Sequence, residues 1–204
     1  MGTKCPHCGS RNTANILYGM PAFSEKFQKD LDNGKIVLGG CCITGFDPKK
    51  HCNDCGKDFA SPAVFFAIEK DEPIPYEDTV TQVDFTYGGF FYGRKTISFK
   101  KTEAGADVII GGIQFDREDP ELPPEDAQIT ADEWYSLLDK LYNKMYLHEW
   151  VNEYKPDGMI MDGIQWNLTV TLSSKEEIEY YGENEYPPYW TSLLRLLGKY
   201  GFKL

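Results

Sequence analysis

Cys5-Pro6-His7-Cys8-Gly9 and Cys52-Asn53-Asp54-Cys55-Gly56 are the two stretches on which the reading of this 204-residue chain turns. In a Cys-x-x-Cys pair two sulfurs reach one metal ion at about 2.3 Å, and two such pairs complete the tetrahedral shell that a zinc ion takes. The glycine after each second cysteine suits a tight turn whose backbone N–H groups aim at sulfur, where a side chain would crowd the approach. Cys5, Cys8, Cys52 and Cys55 are therefore expected to hold Zn2+. Four sulfurs leave no coordination position open, so the ion is expected to be structural. It would contribute folding free energy on the order of 10 kcal/mol or more to a module too small to stabilise itself. His7 and His51 adjoin the ligands and are expected to be neighbours of the shell rather than members of it.

A rival exists for the first pair. Cys-Pro-His-Cys looks like the dithiol of periplasmic disulfide oxidases, in which a low-pKa thiolate sits at a helix N-terminus that follows a strand. Here the motif lies near the start of the sequence, and Gly9-Ser10 and a second knuckle follow it, which favours the metal. The vicinal pair Cys41-Cys42 offers a redox-sensitive dithiol or a competing ligand. Beside Gly39-Gly40, however, the two are expected to pack as small buried residues.

The charge is divided unevenly. The chain carries a net −11, but residues 1–60 hold 8 Lys/Arg against 6 Asp/Glu, whereas residues 61–204 hold 13 against 26. This break supports a boundary near residues 60–80. The acidic half would be repelled by phosphate, so general nucleic-acid affinity is not expected. With 41% hydrophobic and 14% aromatic residues the chain has material for a real core. It holds no apolar run of about 18 residues, so no membrane span is expected. Cysteines in metal spacing without an export signal point to the cytoplasm.

Three regions are expected: a small zinc ribbon with an insertion over 1–62, a linker over 63–79, and an acidic α+β domain over 80–204. In the first, Phe23, Phe27 and Leu31 recur at helical spacing and Asp32-Asn33-Gly34 stops the helix. Lys35–Leu38 reads as a strand, with Lys57-Asp58-Phe59 as the returning one. The linker is charged and broken by Pro73 and Pro75. The third region shows alternating strands at 83–87, 96–101, 107–110 and 166–172, with a hairpin partner at 177–181. Residues 114–129 are expected to form an acidic, proline-rich loop without periodicity.

Thr130-Ala131-Asp132-Glu133 is a capping box that opens a helix expected to run to about 154, with Trp134, Leu137, Leu138, Leu141, Met145 and His148 on one stripe. Pro187-Pro188 leads a last helix carrying Trp190, Leu193, Leu194 and Leu197. The order β-β-β-α-β-β-α makes an antiparallel sheet with two helices, of α+β class.

The residues Cys5-Pro6-His7-Cys8-Gly9-Ser10, Gly39-Gly40-Cys41-Cys42-Ile43-Thr44-Gly45 and His51-Cys52-Asn53-Asp54-Cys55-Gly56 resemble the N-terminal zinc ribbons of uncharacterised bacterial proteins. The resemblance covers about residues 1–60 and implies zinc on Cys5, Cys8, Cys52 and Cys55. The region from Asp157-Gly158 to Trp190 also looks like C-terminal domains of poorly described bacterial proteins and implies no activity.

No His-Glu-x-x-His motif or Gly-x-Ser-x-Gly elbow is present. A zinc-binding adaptor or regulatory protein, whose acidic domain recognises another protein, is therefore expected rather than an enzyme. The contact surface is expected at the aromatic segment with Tyr181, Asn184, Tyr186, Tyr189 and Trp190. The acidic carboxylates Asp116, Glu118, Asp119, Glu121, Glu125 and Asp126 lack calcium-loop spacing and are expected to be solvated. Two alternatives stand behind the adaptor: a small-molecule enzyme using His148 with Glu149 or Asp157, and a nucleic-acid-binding ribbon using Arg11, Lys49, Lys50 and Lys57.

Overall fold

Two sheets carry most of the chain, one small around the cysteines and one of seven strands. A computed structural model describes residues 3–65, 73–89, 93–113, 121–156, 158 and 163–204, and for 65 and 121–126 the backbone alone. The small sheet has the order β2-β1-β3-β4, with β1 at Thr13–Leu17, β2 at Ile36–Leu38, β3 at Lys50–Cys52 and β4 at Asp58–Phe59. β2 lies parallel to β1, which requires a crossover, and helix α1 (Glu25–Asp32) supplies it. Ser24 caps α1 by accepting the N–H of Phe27 at 3.2 Å. β3 runs antiparallel to both β1 and β4. The insertion between the knuckles is thus a β-α-β unit built onto a ribbon.

The expected linker contributes ordered pieces at its ends. A short ladder joins β5 (Val64–Phe65) to β6 (Ile74–Pro75), and a helical turn, α2 (Tyr76–Thr79), follows. Tyr76 of that turn stacks on Tyr142 at 4.4 Å between ring centres. Residues 66–72, including Glu69 to Glu72, lie outside the described residues.

The large sheet has seven strands: β7 (Val80–Gly89), β8 (Gly93–Lys101), β9 (Gly105–Ile113), β10 (Glu121–Thr130), β11 (Glu153–Tyr154), β12 (Gln165–Leu172) and β13 (Glu177–Glu183). Their order is β10-β9-β8-β7-β12-β13-β11, antiparallel throughout except for β11 against β13. Val83, Phe85, Phe99, Val108, Trp166, Leu168 and Val170 fill one face. Helix α3 (Ala131–Asp139) brings Trp134, Leu137 and Leu138 into this core, and helix α4 (Trp190–Gly198) brings Leu193, Leu196 and Leu197. The class is α+β, as the alternation implied.

Two sequence expectations are corrected. The acidic stretch over 114–129 is not all loop: Glu121, Glu125 and Asp126 belong to β10, while Asp116, Glu118 and Asp119 lie outside the described residues. β10 is an edge strand, and its register on β9 shifts between Leu122 and Glu125, where Pro123-Pro124 sit. Proline has no N–H to give a ladder, so a bulge at an edge is where it is tolerated, and the proline pair hid the strand.

The long helix is also shorter than expected. After α3 the chain widens into a π turn over Lys140–Lys144, Tyr146 takes a left-handed φ of 54°, and a 3-10 turn covers Leu147–Glu149. Trp150 Nε1 donates to the Met145 carbonyl at 2.8 Å, which closes the helix end. His148 therefore sits on the 3-10 turn and not on a continuous helical stripe.

Candidate metal centre

The two knuckles are built alike. In each, the N–H of the glycine donates to the carbonyl of the first cysteine, Gly9 to Cys5 at 3.0 Å and Gly56 to Cys52 at 2.8 Å. The N–H of each first cysteine is in turn bound by a carbonyl five residues on, Cys5 by Ser10 at 2.8 Å and Cys52 by Lys57 at 2.9 Å. Both glycines hold left-handed backbone, φ 78° and 72°, which a side chain would strain. The turns aim the N–H groups of His7 and Cys8 at the Cys5 sulfur, and those of Asp54 and Cys55 at the Cys52 sulfur. These are the donors a thiolate needs.

Strand register brings the knuckles together. Thr13 at the start of β1 pairs with Cys52 at the end of β3. Asn53 N–H donates to the Asn12 carbonyl at 2.9 Å, and Asn53 Nδ2 reaches Asn12 Oδ1 and the Gly34 carbonyl at 3.0 and 2.9 Å. The Asp54 carboxylate accepts from Asn12 Nδ2 at 2.7 Å and from the Ser10 hydroxyl, and these bonds hold it below the usual carboxylate range. Asp54 is thus a brace between knuckles. The sequence reading missed this role of Ser10, Asn12, Asn53 and Asp54, and its one signal is the Asn-Asp pair inside the second knuckle.

The four sulfurs, one each from Cys5, Cys8, Cys52 and Cys55, all lie within 4.8 Å of one another. Cys5 and Cys55 are 3.8 Å apart and Cys8 and Cys52 3.5 Å apart. A tetrahedron with metal–sulfur bonds of about 2.3 Å has edges of about 3.8 Å, so the cluster fits a single ion. Cys5 and Cys52 are buried, and Cys8 and Cys55 are exposed. Burial pushes the Cys5 thiol up to about 12. Burial acts the same way on Cys52, but the N–H groups of Cys55 and Asp54, together with the Cys8 and Cys55 side chains, outweigh it and draw that thiol down to about 7.

The histidines stand beside the shell, as expected. His51 Nδ1 is 2.6 Å from Asp58 Oδ1, and His7 Nε2 faces Glu149 Oε2 at 4.0 Å. Cys41 and Cys42 correct the sequence reading. Both are exposed rather than buried, and neither belongs to the four-sulfur cluster. Gly40, just after β2, takes left-handed backbone at φ 90°.

The buried half of the shell rests on the turn that follows α3. Cys5 and Cys52 share an apolar cluster with Phe59 and Tyr146, whose rings meet edge-on at 5.7 Å. Lys4 N–H donates to the Tyr189 hydroxyl at 3.3 Å and that hydroxyl donates to the Lys4 carbonyl at 2.5 Å. The Lys4 ammonium also donates to the Pro188 carbonyl. Ser61 N–H donates to Glu149 Oε1 at 2.9 Å, and His148 Nε2 donates to the Ser61 carbonyl at 3.2 Å. His148 and Glu149, proposed from sequence as an acid–base pair, lie at this junction, and Asp157 lies outside the described residues.

The five aromatic-segment residues divide. Trp190 packs against Trp166, Phe85, Tyr87 and Tyr186, and Tyr189 ties down the knuckle. Asn184, left-handed at φ 54°, accepts the Ile164 N–H on its side chain at 2.9 Å and donates its own N–H to the Ile164 carbonyl. Tyr181 is exposed and lines an open depression of about 590 Å³ on the far face of the sheet, with Thr86, Arg94, Gln165 and Asn167. Among the described residues no helix is long and apolar enough to cross a membrane. No protein-family model, curated protein or solved structure matches the chain.

Proposed function

We propose that this chain is a zinc-binding adaptor, in which a structural zinc ribbon is seated on an acidic α+β domain that recognises another protein. The observation that carries the reading is the closed four-sulfur cluster, half buried against Phe59 and Tyr146. Four thiolates satisfy a tetrahedral ion and leave no position for a substrate, so the metal's work there is to hold the fold. A four-thiolate tetrahedral set suits zinc, with iron as the competing ion. The exposed Tyr181, above the depression with Arg94, Gln165 and Asn167, is the contact point of the aromatic segment that a partner reaches first.

Native mass spectrometry of the purified chain is expected to show one zinc per chain, and Cys8→Ser is expected to lose it. A metal-free Cys5–Cys8 disulfide would overturn the metal reading, and iron would replace the ion while keeping the role. Affinity capture with the zinc-loaded chain is expected to retain a protein that withstands nuclease and is lost with Tyr181→Ala. Capture that disappears with nuclease, or that ignores Tyr181→Ala, would overturn the partner surface.

A further inference from the structure

The β-α-β insertion between the knuckles exposes apolar side chains out of proportion to its size. Of the twelve large hydrophobic residues exposed among the described ones, six fall within residues 17–46: Leu17, Met20, Phe23, Leu38, Ile43 and Phe46. Met20 is 95% exposed, Phe23 71% and Ile43 66%. α1 buries none of its own residues. Leu17 and Leu38 are direct neighbours in the register of β1 and β2, and Gly19 N–H donates to the Gly40 carbonyl at 2.8 Å. The loops carrying Met20 and Ile43 therefore leave the same end of the parallel pair. β2 is the outer strand of its sheet, its far edge unpaired among the described residues. An exposed patch of this kind, beside an open strand edge, marks a surface that is covered when the protein works.

Charge and area say what covers it. The body over residues 61–204 carries 13 Lys/Arg against 26 Asp/Glu, so two copies repel over most of their surface. Residues 18–49 carry four lysines and four acidic residues and are neutral. Both signs are present on α1, with Glu25, Lys26, Lys29, Asp30 and Asp32, so a second copy of the same helix meets complementary charge. Taking on the order of 200 Å² for each large side chain in full exposure, the six leave roughly 700 Å² in water, close to the ~800 Å² per partner of a stable interface.

We propose that the insertion is a self-association surface, through which two copies of this chain pair about a twofold axis and cover Leu17, Met20, Phe23, Leu38, Ile43 and Phe46. The proposal is independent of the partner surface around Tyr181, which lies on the other domain.

Sedimentation equilibrium of the full-length, metal-loaded protein across the micromolar range tests it. The expected mass is twice the 23.3 kDa chain. Phe23→Glu combined with Ile43→Glu is expected to weaken pairing at least about a hundredfold, with far-UV circular dichroism and metal content unchanged, because both side chains already face water. A single-chain mass throughout that range overturns the proposal. So does a double variant that pairs as tightly as the wild type, or an open series of higher oligomers in place of a closed pair.

Discussion

At Gly56 the backbone sits at φ 72°, and a Cβ built there would meet nothing within 4 Å. Any cost of a side chain is therefore conformational and not steric. Gly56→Ala is expected to destabilise the metal-loaded fold by about 1 kcal/mol, and Gly56→Asn by less, because asparagine enters the left-handed region more readily. Urea unfolding of the two variants side by side checks the order. At Gly9, φ is 78° and a Cβ would lie 3.4 Å from Lys4 Cε and 3.6 Å from Pro188 Cβ, both ordinary contacts. Gly9→Ala is thus expected to cost about as much as Gly56→Ala, although a Cβ at Gly9 would meet Pro188 and one at Gly56 would meet nothing. The knuckles were legible from sequence because every feature that makes them is local: ligand, two spacers, ligand, glycine. The brace from Asp54 to Asn12 and Ser10 was not, since it depends on β1 and β3 pairing so that residues about forty positions apart meet.

The capping box at the head of α3 shows what one element owes to two residues. Thr130 Oγ1 accepts the Glu133 N–H at 3.3 Å, and Glu133 Oε2 accepts the Thr130 N–H at 2.9 Å. Thr130→Ala is expected to lower stability by about 1 kcal/mol, read as a fall in the thermal midpoint. That signature, a hydroxyl followed three residues later by a carboxylate, predicted the start of α3 to the residue. The end of the helix escaped prediction, because the helical spacing runs on through Leu141 and Met145, both buried, to His148. What ends the helix is Tyr146 in left-handed backbone and the Trp150 indole on the Met145 carbonyl, neither of which spacing reveals. β10 escaped for the opposite reason. Its pairing with β9 survives two prolines through a bulge, whereas local preference at Pro123-Pro124 speaks against any strand. β7, β8, β9, β12 and β13 were legible because one face is buried and the other is wet, and that alternation is written in their residues.

At the scale of the whole molecule, Tyr189 makes two of the hydrogen bonds that join the cysteine knuckles to the large sheet and its helices. Its hydroxyl both accepts from and donates to the Lys4 backbone, one residue before the first cysteine of the cluster. Tyr189→Phe leaves the ring against Tyr146 but strands the Lys4 N–H and carbonyl. It is therefore expected to lower stability by about 1 kcal/mol at neutral pH. The same hydroxyl gives the junction a pH dependence. Burial, chiefly, pushes the Tyr189 phenol from 10.0 up to about 12. The folded chain then keeps a proton that the unfolded chain has already released, so unfolding sheds protons in that window and stability falls as pH rises. The contribution is whole below pH 10 and is lost as pH climbs through about 12. Tyr154, also raised to about 12 by burial, shares the alkaline decline, so the variant isolates only the part that belongs to Tyr189. Denaturant midpoints of wild type and Tyr189→Phe, compared well below pH 10 and again between 10 and 12, are expected to converge in the alkaline pair. A gap that stays constant would mean that the phenol keeps its proton throughout, and that the alkaline decline belongs to other buried tyrosines such as Tyr154.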